Sequence, residues 1–111
     1  MSIRMIKQRV SLDRHNVLRT PATTGVYEIS DPSGKVIDIN YSGGRSTFGL
    51  RGDLLALLDV IGPGKSFRYE VHSQYLSRYE ELLMIHQHDT GSLPARVVGR
   101  GRTSVGHLSP L

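Results

Sequence analysis

The chain contains no cysteine, which excludes disulfides, thiolate metal sites and thiol catalysis together. Any chemistry must therefore run on oxygen and nitrogen groups. No apolar stretch approaches the roughly 18 residues that a membrane-spanning helix needs, so no membrane association is expected. The segment from Met1 to Val10 interleaves charged and apolar residues, unlike a secretory signal. A cytoplasmic protein is expected, and the glycosylation sequon Asn40-Tyr41-Ser42 is read as coincidence. There is no internal repeat.

What is present fits one small folded unit. A length of 111 residues leaves room for one compact domain with one modest core. The hydrophobic fraction is 38%, but the apolar residues gather into periodic blocks rather than spreading evenly, which argues for a folded middle with polar ends. The formal net charge is +4. Such a balance favours anionic partners, phosphate backbones among them, through long-range attraction and counterion release.

Along the chain, residues 1–22 alternate basic and apolar positions and end at Arg19-Thr20-Pro21-Ala22, where proline discourages continuation of helix or strand. This is read as an N-terminal arm. Val26 to Ser30 and Lys35 to Tyr41 are β-favouring runs joined by Asp31-Pro32-Ser33-Gly34, residues suited to a tight turn, and they predict an antiparallel hairpin. Leu50, Leu54, Leu55, Leu57, Leu58 and Ile61 place one apolar stripe on a helix, which Gly62-Pro63-Gly64 should stop. Phe67 to Val71 alternates as a half-buried third strand does. Ser77 and Glu80 are spaced as a capping box for a second helix, with a start near Ser73 as the other reading. That helix should end at Asp89-Thr90-Gly91. Leu93 to Val98 suits a short closing strand, and residues 99–111 read as a flexible basic tail. The expected fold is therefore α/β (α+β), a three-stranded antiparallel sheet flanked by helices in the order ββαβα, with its domain over residues 23–98.

Four side chains stand at suggestive places: Tyr27, Tyr41, Arg51 and Glu81. Gly25-Val26-Tyr27 and Tyr41-Ser42-Gly43, with Arg51 eight residues past Gly43 and with Met84-Ile85 three and four residues past Glu81, resemble the signatures of the GIY-YIG nucleases. Leu93-Pro94-Ala95-Arg96-Val97 falls where that family has its closing Pro-x-Tyr-Asn segment. The resemblance covers about residues 24 to 98. It implies metal-dependent hydrolysis of a nucleic-acid phosphodiester, DNA before RNA. In that scheme Glu81 holds Mg²⁺ or Mn²⁺, a hard cation content with one carboxylate plus waters and phosphate. Arg51 pairs with the scissile phosphate through its planar fork, Tyr27 orients or deprotonates the water, and Tyr41 hydrogen-bonds nearby. Gly43, Arg45 and Arg51 would contact the substrate. A chain this small would need a homodimer or a protein partner for extended site-specific readout.

Departures from the pattern keep an alternative open. Ser42 replaces a core aliphatic, Gly44 a small polar or basic residue, Leu55 a histidine or tyrosine and Val97 an asparagine. A catalytically inactive module of the same fold, binding nucleic acid or another protein, is the alternative. Three further motifs have plain readings. Gly62-Pro63-Gly64-Lys65-Ser66 has Asp59 where a phosphate loop needs glycine and lies between helix and strand, so it reads as a tight connection. His86 and His88 are two residues apart, roughly 200° around a helix, too divergent to share a metal, though one of them could face the cleft. Arg96, Arg100 and Arg102 suit either nucleic-acid contact or simple solubilising charge.

Overall fold

The computed structural model describes residues 4–105; residues 1–3 and 106–111, the outer ends of the expected arm and tail, lie outside the described residues. The hairpin forms, with strands β2 (Gly25–Ser30) and β3 (Val36–Ser42) paired antiparallel. Its turn is closed by Asp31. The Asp31 carbonyl accepts from the Gly34 N–H at 2.9 Å, and its side-chain Oδ1 accepts from the Ser33 and Lys35 N–H groups at 2.9 and 3.0 Å. Gly34 completes the turn at φ 90°, a conformation that costs glycine little.

The other edge of β2 pairs antiparallel with β4 (Ser66–Val71). Here Gly25 is required by close approach, since a Cβ at that position would lie 2.1 Å from the Glu70 carbonyl oxygen. The expected sheet of three strands is corrected to four. β1 (Val10–Ser11) pairs with β4, giving the order β1-β4-β2-β3. A two-residue strand has no period for a sequence reading to detect. Next comes α1 (Arg14–Leu18), capped by Asp13, whose side chain accepts from the Asn16 N–H at 2.8 Å. The stretch read as an arm thus contributes Met5, Leu12 and Val17 to the buried core.

The leucine stripe forms α2 (Gly49–Ile61), which ends at Gly62 with φ 84°. The second long helix, α3 (Tyr75–Thr90), does not use the capping box. It begins two residues before Ser77, after Gln74, and Glu80 instead receives the guanidinium of Arg102, with Nη1 donating at 2.7 Å. Leu93 to Val98 is not a strand either. Residues Ala95–Gly99 form a short helix, α4, following Pro94, whose missing N–H is harmless at a helix start. The whole order is therefore βαββαβαα rather than ββαβα, although the elements from Gly25 to Thr90 run strand, strand, helix, strand, helix.

What fixes α4 is a buried charge. Asp38 on β3 is 1% exposed and faces Arg96 Nε at 3.2 Å and Arg100 Nη1 at 2.8 Å. An ionised carboxylate out of water must be paired, and the two arginines supply the pairing while Val97 is fully buried beside them. The basic residues expected in a free tail are thus folded back onto the domain.

The core has two layers, one on each face of the sheet. Tyr27, Ile29 and Phe67 pack with Leu12, Val17, Leu50, Leu54 and Leu57 from the side of α1 and α2. Val26 and Ile39 pack with Met5, Tyr79, Leu82, Leu83 and Val97 from the side of α3 and α4. The result is a small α+β fold, and among the described residues no helix is long and apolar enough to cross a membrane. Arg100→Ala should leave Asp38 buried with one partly exposed partner. Urea melts are expected to register a loss of about 2 kcal/mol, less than the roughly 3–5 kcal/mol of a broken, fully buried pair because Arg96 remains.

Candidate functional site

Directly paired residues on neighbouring strands share a face of the sheet. The β2–β3 register pairs Tyr27 with Asn40 and Val26 with Tyr41, so the two signature tyrosines project from opposite faces. Tyr27 is 4% exposed in the layer beneath α1 and α2. Its phenol pKa is pushed up to about 12, first by burial and then by the negative charge of Asp38, with Asn40 pulling the other way. A phenol held neutral so firmly is a poor proton acceptor from water. Tyr41 is 36% exposed on the α3 side. Its ring stacks on Tyr75 at 5.7 Å and meets Tyr79 edge-on at 5.0 Å.

Two of the expected charged residues, Arg51 and Glu81, have partners within the fold. Arg51 Nε donates to the Thr20 carbonyl at 2.8 Å, tying the start of α2 to the connection after α1. Glu81 pairs with Arg78 one turn earlier on α3. Arg78 also grips Glu70 on β4, through Nε at 2.7 Å and Nη2 at 3.0 Å. Glu81 is thus one of two carboxylates sharing one guanidinium, and a cation at this place would have to compete with it. Among the described residues no group of three or more His, Asp or Glu could hold a metal ion. Glu81, the single carboxylate expected to hold Mg²⁺ or Mn²⁺, is paired with the Arg78 guanidinium.

Tyr41, Gly43 and Arg45 do come together. They line a cleft of about 580 Å³ where β3 runs into its following loop, with Ser46, Asp53 and Tyr75 as neighbours; Tyr27, Arg51 and Glu81 are not among its lining residues. A Cβ at Gly43 would lie 2.7 Å from the Tyr75 ring, so the ring packs directly on this glycine. The Tyr75 hydroxyl accepts from the Gly44 N–H at 3.1 Å, so the ring is held from both sides. Arg45 is exposed, with no side-chain partner among the described residues.

Asp53 and Tyr75 were not singled out by the sequence. Ser42 reads there as the loss of a core aliphatic. Ser42 and Asp53 explain each other. Ser42 is fully buried and donates to Asp53 Oδ2 at 2.6 Å, and Ser46 donates to the same oxygen at 2.8 Å. A buried hydroxyl needs a partner, and a serine at an inward strand position was the available signal. His86, a candidate for the cleft, lines a separate cavity at the far end of α3.

Two outcomes test this geometry. Ser42→Ala strips a charge-assisted hydrogen bond from Asp53, and a drop of about 1–3 kcal/mol in unfolding free energy is expected. Tyr27 contributes pH dependence of known sign. Its folded pKa lies above the unfolded value near 10, so its stabilisation is complete below that value and is lost as pH rises through about 12. Alkaline unfolding followed by circular dichroism should therefore lose part of its steepness in Tyr27→Phe.

No curated protein and no solved structure matches the chain. One family model does match, over residues 1–89, from the expected arm through the end of α3 and including the whole Tyr41–Asp53 cleft. The chain belongs to that family, described as a domain of unknown function (DUF7508).

Proposed function

We propose that the chain is a module resembling the GIY-YIG nucleases that binds single-stranded nucleic acid without cutting it. The observation carrying this reading is the cleft at the end of β3, where a partly exposed aromatic stack, Tyr41 on Tyr75, stands beside Arg45, a cation with no side-chain partner among the described residues. Unstacked bases bind aromatic rings with little regard for sequence, and a guanidinium beside them meets the backbone phosphate. Asp53 keeps one oxygen, Oδ1, without a hydrogen bond among the described residues, and there it would accept from a base amino or a sugar hydroxyl. The net charge of +4 favours the same partner at long range.

The resemblance itself is supported by the strand, strand, helix, strand, helix run from Gly25 to Thr90 and by the structural need for glycine at position 25. Binding rather than turnover is supported by the residues that turnover would use. Tyr27 is buried and hard to ionise, and Glu81 is paired with Arg78.

Fluorescence anisotropy with single-stranded DNA, duplex DNA and RNA at several salt concentrations tests this, run alongside incubation with Mg²⁺ or Mn²⁺ and gel analysis. Salt-sensitive binding to single strands is expected, weakened about tenfold or more by Tyr41→Ala, with the oligonucleotides left intact. Whichever of DNA and RNA binds tighter identifies the natural form. Metal-dependent cleavage abolished by both Arg51→Ala and Glu81→Ala would instead establish the nuclease. Absence of salt-sensitive binding would point to a protein-interaction module.

A further inference from the structure

At the opposite end of α3 lies a second cavity of about 640 Å³, walled by the α3 side of the sheet, the C-terminal half of α3 and the segment 4–9. Its floor carries an unbalanced charge cluster. Glu28 on β2 is 7% exposed, and its carboxylate is shared by two guanidinia, Arg9 at 3.1 Å and Arg68 at 2.9 Å. One carboxylate cannot neutralise both. Across the cavity Arg4 and Asp89 pair bidentately at 2.8 and 3.0 Å and so balance each other. Lys35 lines the mouth and has no salt-bridge partner among the described residues. The lining therefore holds four cations against two carboxylates. Opposite the charges stands an apolar wall of Met5, Val36, Ile39, Leu82, Ile85 and Leu93.

A concave space of this size, largely preformed, with apolar walls and a few convergent polar groups, is the ordinary form of a small-molecule site. Its charge selects the ligand. We infer that this cavity binds a small amphiphilic anion, its carboxylate or phosphate on Arg9, Arg68 and Lys35 and its hydrocarbon body against Met5, Ile39, Leu82 and Ile85. Guanidinium forks suit both oxyanions. Arg9 donates only Nε and Nη2 to Glu28, so its remaining N–H groups are open to a second acceptor. His86 lines the same space; burial holds its pKa below the usual range, against the pull of Glu28 and Asp89, so at neutral pH its uncharged ring adds a hydrogen-bonding group without adding charge. Arg4, Met5 and Arg9 of the N-terminal segment line the cavity, held by the burial of Met5 and by the Arg4 and Arg9 ion pairs.

The test is a titration of the ¹⁵N-labelled full chain with octanoate, octyl phosphate and uncharged octanol, followed by amide shifts. Saturable shifts at Met5, Lys35, Ile85 and His86 are expected with an anion, and octanol should bind about tenfold more weakly or worse. The tighter of the two anions identifies the headgroup. Arg9→Gln, which leaves Arg68 on Glu28 to hold the fold, and Lys35→Glu, at an exposed position, should each weaken the anion about fivefold or more with the unliganded spectrum otherwise preserved. Equal binding of octanol, shifts confined to other surfaces, or no saturation with either anion would overturn the assignment. Tyr41→Ala should leave anion binding intact, so this inference and the nucleic-acid reading stand or fall separately.

Discussion

Burial of β2 on both faces is the constraint from which the rest follows. All six of its residues, Gly25 to Ser30, are buried, so each side chain must suit one of two layers. Tyr27 and Ile29 serve the layer beneath α1 and α2, and Val26 serves the layer beneath α3. Side chains alternate along a strand, so a slip of one residue would exchange the two sets, and a register with both faces buried is strongly held. That register carries Tyr41 to the α3 side and gives Glu28 two arginine partners on the same face.

The two ends of α3 consequently acquire different characters. At its start, Tyr75 closes on Gly43, and the loop after β3 is left with backbone, an aromatic stack and an arginine without a side-chain partner among the described residues. At its end, the sheet offers Glu28 and Arg68, and the N-terminal segment adds Arg9 and the buried apolar side chain of Met5. The first geometry suits a planar, stacked partner with a phosphate; the second suits a compact anion with an apolar body. Both depend on charges that the fold leaves incompletely balanced, while the charges it does balance, Asp38 with Arg96 and Arg100, hold α4 in place.

The hairpin and α2 were legible because local residues decide them: Asp31 and Gly34 make the turn, and the leucines between positions 50 and 58 make the stripe. What escaped depends on contacts distant in sequence. Strand β1 exists because Val10 and Ser11 lie beside Phe67 and Ser66. Helix α4 replaces the strand suggested by two adjacent valines because arginines on it must reach Asp38, some sixty residues earlier. The Ser77–Glu80 pattern misled because Glu80 had a stronger partner in Arg102. Within the site, Tyr41, Gly43 and Arg45 were legible as near neighbours on one strand and its loop. Tyr27 belonged with them in the sequence pattern but not in space, since its face is set by register, which spacing alone does not reveal. Asp53 was overlooked because its meaning lies in Ser42, eleven residues back.

Nuclear Overhauser contacts between assigned side chains test the separation of the two signature tyrosines directly. Cross-peaks are expected from the Tyr41 ring to those of Tyr75 and Tyr79, and from the Tyr27 ring to methyl groups of the α2 leucines. Cross-peaks joining the Tyr27 and Tyr41 rings to each other would contradict it and restore a single pocket containing both.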